Sequence, residues 1–324
     1  MTTERVTTSG GDPPSSADLA GRVARLFFER QLTKVEIAAR LGVSRFRVAR
    51  LLDRALADGI VRIEFRDAPV RDRDLGRRVA AQFGLDECLV AGDGDEPAAV
   101  ARLGAALVAG LIGRGDAIGI AGGSTVAAVA RAMPARDDPT LDVVQLAGSS
   151  ASLDASTDPG DVARVLAERL GGRHHRIHAP AFVESADLRA ALVRQPDVAD
   201  AVGRFDGLSV AVLGVGAFGT AGATVASSSL LRSGSLGADD IRRLAALGAV
   251  GDLLVHPFTA DGRFVAPELA ERAIAISIDQ LRQVPHVVAV AAGQAKVEAI
   301  GGALRSGVVG AFVTDRDTAR RLLA

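Results

Sequence analysis

Apolar residues recur at helical spacing through the first part of the chain, and the pattern then changes. Leu19, Val23, Leu26 and Phe27 predict a first helix over Ala17 to Arg30. Val35, Ile37, Ala38 and Leu41 supply the apolar face of a second, short helix. Val48, Leu51, Leu52 and Ala55 form the inner face of a third. Local chemistry marks the boundaries. Thr33 and Glu36 make a capping box, in which the Thr33 hydroxyl accepts from the Glu36 amide and the Glu36 carboxylate accepts from the Thr33 amide. Gly42 ends the second helix, Ser44 caps the third and Gly59 closes it. Ile60 to Phe65 alternates apolar and polar like a strand. Helix, tight turn, longer helix and strand together predict a winged helix-turn-helix.

From about residue 86 short β-rich runs alternate with Ala/Arg/Leu-rich helical runs. ECLVAG, DAIGIAGG, LDVVQLAG, RIHAPAFV, GLSVAVLGVGAFG, VGDLLVHPF, HVVAVAAG and VVGAFVTD read as strands. EPAAVARLGAALVAGLIG, STVAAVARAM, DVARVLAERLG, SADLRAALVRQ, GADDIRRLAALG, AISIDQLRQ, QAKVEAIGGALRSG and RDTARRLLA read as helices. Such alternation predicts an open, mainly parallel α/β sheet with helices on both faces. The expected organisation is a polar, Gly/Pro/Ser-rich disordered tail over residues 1–19 and the winged helix-turn-helix over 20–67. A linker helix follows within 68–85, and a larger effector and oligomerisation domain fills 86–324.

Charge sharpens the first domain. Residues 20–66 hold 11 Lys or Arg against 5 Asp or Glu, a net of +6 in a chain whose total is −1. The positive field is therefore local and suits nucleic acid. Thr33, Ser44, Arg45, Phe46, Arg47 and Arg50 are the candidate DNA contacts, because the N-terminal end of the second helix of such a pair enters the major groove. Arginine donors form a fork that fits guanine edges and phosphates. Composition excludes other classes. There is no Trp or Tyr, which argues against single-stranded nucleic acid and its need for stacking platforms. The longest apolar runs contain glycine and are too short to cross a bilayer. A single Cys88 and no leader-like start point to a reducing, cytoplasmic setting.

In a parallel sheet, ligands bind beyond the carboxyl ends of the strands. Gly122-Gly123-Ser124-Thr125 joins a strand directly to a helix, where free amides and the helix dipole favour an anion. Two readings fit it: a phosphate cradle, or a tight turn that needs only small residues. Gln145 and Gly148 lie at the next junction, Gly214 and Gly216 at another, and Asp252 follows a Val-Gly pair. Lys296 sits just inside a helix start, against the dipole. A bound anion would repair that conflict, or the amine reaches solvent. His174, His175 and His178 form HHxxH, and loop histidines explain it better than a metal, since no Cys lies nearby. No Ser/His/Asp or Cys/His set stands out, so no catalytic residue, metal or cofactor is expected.

These motifs resemble the SorC family of sugar-responsive transcriptional regulators. The likeness runs through LTKVEIAARLGVSRFRVARLLDRALADGIVRI, GDAIGIAGGSTV, LDVVQLAGS, HAPAFV, GAVGDLLVHPFTADGRFV and AISIDQLRQVPHVVAVAAGQAKVEAIGGALRSGVVGAFVTD, and ends with DTARRLL. The resemblance implies an effector domain similar to the phosphosugar isomerase and deaminase fold. It implies that Gly123, Ser124 and Thr125 hold an effector phosphate, that Lys296 adds its charge, and that Gln145, Gly148 and Asp252 face sugar hydroxyls; Gly122 completes the expected effector-binding loop. With only two lysines in the chain, an unphosphorylated sugar or polyol stays open. The expected partners are double-stranded operator DNA, a sugar or sugar-phosphate effector, and further copies of the chain in a dimer or tetramer. The alternatives are a phosphosugar isomerase or deaminase fused to a DNA-binding module, and an oligomerisation module without a ligand.

Overall fold

The computed structural model describes residues 16–61, 70–92, 96–150, 154–219 and 227–324. The chain divides into two compact units, residues 1–68 and 69–324.

The first unit holds α1 (Ser16–Phe28), α2 (Lys34–Leu41) and α3 (Arg45–Ala57). Ala20, Val23, Ile37, Val48 and Ala55 are fully buried where the three helices meet. Both halves of the capping box form: the Thr33 amide donates to the Glu36 carboxylate at 2.8 Å, and the Glu36 amide donates to Thr33 Oγ1 at 3.3 Å. Gly42 takes the left-handed conformation, φ 64°, that lets its amide return to the Ala38 carbonyl. Three expectations shift. Helix α1 begins at Ser16, inside the expected tail. Val35 is 64% exposed, because only Ile37 and Ala38 of α2 turn fully inward. In the expected strand Ile60–Phe65, residues 62–65 lie outside the described residues, and Ile60 and Val61 are not in a strand.

The second unit opens with α4 (Arg73–Phe83), the expected linker helix. It packs there through Leu75 and Val79 rather than standing free. The strands are β1 (Glu87–Val90), β2 (Ala117–Ile120), β3 (Asp142–Gln145), β4 (Arg173–His175), β5 (Val210–Leu213), β6 (Gly216–Ala217), β7 (Ala249–Leu253), β8 (His256–Thr259), β9 (His286–Val290) and β10 (Ala311–Thr314). Seven of them form a sheet in the order β1-β10-β9-β5-β2-β3-β4, with every pair parallel. Alternate residues feed two cores: Ala211, Leu213, Val287 and Ala289 enter one, while Val210, Val212, Val288 and Val290 enter the other. Both faces are therefore covered, as a parallel sheet requires. On one of them lie α5 (Glu96–Leu111), α6 (Ser124–Ala132) and α7 (Pro159–Leu170).

Several runs depart from the pattern reading. VGDLLVHPF is a hairpin, β7 and β8, turning at Leu254-Val255. Leu254 takes φ 60° in that turn, a conformation its side chain disfavours and its sequence does not announce. Strands β6, β7 and β8 make a separate antiparallel sheet, so GLSVAVLGVGAFG divides between two sheets. RIHAPAFV is not a strand. The edge strand β4 ends at His175, and the later residues make only single bridges, Ser149 with Pro180 and Phe182 with Ala273. AISIDQLRQ forms one turn, Ile278–Leu281, and an additional helix spans Pro196–Val202.

Candidate functional site

The order of the seven strands reverses between β2 and β5, which are neighbours in the sheet and far apart in the chain. Loops leaving their carboxyl ends diverge there and open a crevice. One cavity occupies it, and its walls include Gly122, Gly123, Ser124, Thr125, Gly148, Asp252 and Lys296. Seven of the eight residues expected at the effector site thus meet, although they come from four separate segments.

One end of the cavity suits an anion. Gly123 caps α6 at φ 105° and offers no side chain to the helix amides. The first helical bond runs from Ala127 N to Gly123 O at 2.9 Å. The amides of Ser124, Thr125 and Val126 therefore have no acceptor within the helix, and all three residues line the cavity. Gly123 differs from expectation. Its amide donates to Thr157 O at 2.8 Å, so it anchors the loop instead of a ligand. A Cβ at Gly122 would stand 2.7 Å from the same carbonyl, so this glycine serves close packing.

The cavity wall also carries a buried acid and an amine whose charges interact. Asp252 lies on β7, in the small antiparallel sheet and away from any strand-to-helix junction of the large one. It is 3% exposed, and among the described residues its Oδ1 has no hydrogen-bond partner. Burial pushes its carboxyl from the ordinary 3.8 up to about 7, against the opposing pull of the Ser228 hydroxyl and the Lys296 charge. Lys296 ends a short 3-10 turn before helix Val297–Arg305. Its Nζ donates to Val215 O at 3.1 Å. Burial lowers its pKa, Asp252 raises it, and Arg232 lowers it again. Burial thus raises the pKa of the acid and lowers that of the amine, which leaves the acid able to donate or accept a hydrogen bond near neutral pH.

Gln145 is a correction. It is fully buried at the end of β3 and does not reach the cavity. Its Nε2 donates to Ala147 O at 2.6 Å and to Ser149 Oγ at 3.3 Å, and its Oε1 accepts from Ile177 N at 3.0 Å. The amide ties three segments together behind the wall. The histidines also separate. His174 and His175 lie on β4, with His175 Nε2 at 2.8 Å from Asp142 Oδ1, while His178 is in a loop. Among the described residues no three metal-ligating side chains converge.

On the first unit, Ser44 Oγ accepts from Arg47 N at 3.2 Å and caps α3. Arg45, Phe46, Arg47 and Arg50 are all exposed on its first turns. Thr33 is exposed as well, with its hydroxyl held by the Glu36 carboxylate at 2.8 Å.

Comparison with known proteins extends this geometry. The family model Sugar-bind, a sugar-binding domain, matches residues 67–324. The chain is 32% identical over 311 residues to the erythritol catabolism regulatory protein EryD of Brucella abortus, covering 94% of this chain and 96% of that one. It is 27% identical to the sorbitol operon regulator of Klebsiella pneumoniae, covering 93% and 96%. The crystal structure of that full-length regulator, SorC, superposes with a TM-score of 0.71 over 96% of this chain and 100% of the other. This chain belongs to the SorC family of transcriptional regulators. A sugar-binding transcriptional regulator domain from Arthrobacter aurescens is also similar, at TM-score 0.69 and 26% identity over 79% of this chain and 99% of that one.

Within this SorC-family cavity some wall residues escaped the sequence reading. Arg232, in the turn Ser229–Arg232, brings a second cation to the wall. Leu254 and Val255 contribute the strained hairpin turn. No spacing in SSSLLRSG marks Arg232, and the αL conformation of Leu254 arises only once the hairpin closes. Among the described residues no helix is long and apolar enough to cross a membrane.

Proposed function

We propose that this regulator binds double-stranded operator DNA through α3 and that a small phosphorylated sugar or polyol in the cavity controls the affinity. The carrying observation is the convergence of three helix amides, at Ser124, Thr125 and Val126, that have no acceptor among the described residues, with Arg232 and Lys296 around one cavity. Amides and cations suit a phosphate, and the carboxyl of Asp252 on the cavity wall suits a hydroxyl. The names of two relatives refer to erythritol and to a sorbitol operon, which supports control of carbohydrate genes. Residues 20–67 are the DNA-reading domain in this proposal and 86–324 the effector and oligomerisation domain. A symmetric dimer or tetramer would place one α3 on each half-site. The ligand would act by binding two arrangements of that oligomer unequally.

Thermal shift against sugars, polyols and their phosphates tests the ligand, since a specific one raises stability by mass action. Gel-shift titration on a fragment of the chain's own promoter tests the output. Thr125→Ala should reduce the thermal shift at least about tenfold in ligand concentration and leave operator binding intact. Loss of operator binding instead would mean that the loop is structural. Equal, salt-dependent affinity for promoter and random DNA would sink specific regulation. An isomerase or deaminase reading has less support, because Asp252 is the only carboxylate among the described residues lining the cavity. Turnover of a sugar phosphate, abolished by Asp252→Asn, would reinstate it.

A further inference from the structure

We propose that Phe46 reads thymine in the operator, seating its ring against the C5 methyl group that faces the major groove. The idea rests on the DNA-binding reading above and adds a base chemistry to it. Helix α3 buries Val48, Leu51, Leu52 and Ala55. At about 100° per residue these four centre on one side of the helix. Phe46, Ala49, Arg50 and Asp53 fall on the opposite side, at the i, i+3, i+4, i+7 spacing of a single face.

Phe46 is 68% exposed on that face. A benzyl side chain left in water forgoes the burial that normally places Phe inside, so a partner surface that covers it gains free energy. Three observations select DNA as that surface. The ring stands in the first turn of α3, the end of a recognition helix that meets base edges. Arg45, Arg47 and Arg50 surround it, all exposed, and make a cationic rim complementary to phosphates. The Arg45 guanidinium lies over the ring at 4.9 Å from its centroid, which occupies one face and leaves the other face and the edge open. The base edges in the major groove offer one methyl group to an apolar side chain, and it belongs to thymine. Arg50, on the same face one turn later, is placed for a neighbouring guanine or phosphate.

The test uses the full-length protein and a fragment of its own promoter, synthesised with thymine or with uracil throughout. Uracil keeps every hydrogen-bonding edge and lacks only the methyl. Wild-type affinity should fall about fourfold for each contacted methyl lost. Phe46→Ala should bind the two fragments equally, and Phe46→Leu should retain part of the preference. Because the ring is exposed, circular dichroism melting should match wild type for both variants. Equal wild-type binding to the two fragments would overturn the proposal. So would a Phe46→Ala protein that keeps the full thymine preference, whether or not its oligomeric state changes. If neither fragment is bound better than random DNA, operator binding itself fails, which separates the two readings.

Discussion

Arg45, Arg47 and Arg50 stand in water on α3, whereas Asp252 is sealed against the sheet unit with Lys296 half-buried nearby. The same kinds of group therefore work over different ranges. Exposed guanidiniums keep their charge at little cost, and their field reaches a phosphate backbone over roughly the 8 Å Debye length of physiological salt. Burial opposes the charge of both the acid and the amine, and they act on what enters the cavity beside them. A surface of the first kind suits a long polyanion approached from solution. A cavity of the second kind suits a small molecule that must replace the water it displaces. The proposed division of labour between the two units rests on solvent access more than on residue type.

The strongest challenge to that contrast is to remove the core of the first unit. Ile37→Ala empties a fully buried position, at a cost of about 2–5 kcal/mol. DNA binding should be lost while the ligand-induced thermal shift of the sheet unit remains. If the thermal shift disappears as well, the two units do not act separately.

The pH dependence of stability should expose the buried acid. A carboxyl whose folded pKa is raised binds its proton more tightly in the folded state. Its contribution is then fully present below 3.8 and is lost as pH rises through about 7. The full swing would be up to about 4 kcal/mol at 1.36 kcal/mol per pKa unit. Lys296 acts in the opposite sense, its cost lifting as pH rises towards the ordinary 10.5. Asp252→Asn should flatten the fall in thermal midpoint between pH 4 and 7, a window set by the Asp252 shift. An unchanged slope would show that Asp252 ionises freely and that the contrast with α3 is overstated.

Smaller effects test the local signals. Thr33→Ala removes the bond from the Glu36 amide to the Thr33 hydroxyl and that hydroxyl's own bond to the Glu36 carboxylate, keeps the Thr33 amide bond, and should cost about 0.5–2 kcal/mol in chemical denaturation of the first unit. Val35→Ser, at a position 64% exposed, should change stability by less than about 0.5 kcal/mol. A larger loss would return Val35 to the core that its helical spacing suggested.

How much of this was legible depends on how far apart the interacting residues lie. Thr33 and Glu36 are three residues apart, and Ser44 caps through Arg47 N at the same separation. Such contacts are written in neighbouring letters, so α2 and α3 were readable almost to the residue. The strand-helix alternation was legible for the same reason, because burial on both faces imposes runs of Val, Ile and Ala. VGDLLVHPF misled, since the apolar stretch Leu253-Leu254-Val255 runs straight through a two-residue turn. Val35 misled because the spacing marks an apolar stripe without saying how wide the covering surface is.

By itself the sequence determined a three-helix unit with a helix-turn-helix pattern, a parallel α/β sheet and a glycine-serine-threonine loop at a helix start, all features with periods or spacings of a few residues. The tertiary structure decided which candidates share a cavity. Gln145 is withdrawn from it by Ile177, 32 residues on. Gly123 spends its amide on Thr157, while Lys296 is held at the cavity by Val215, 81 residues away. Arg232 arrives from a segment with no motif. The physical reason is that side-chain spacing is a property of the local backbone, whereas desolvation and hydrogen-bond commitment depend on segments that only folding brings together.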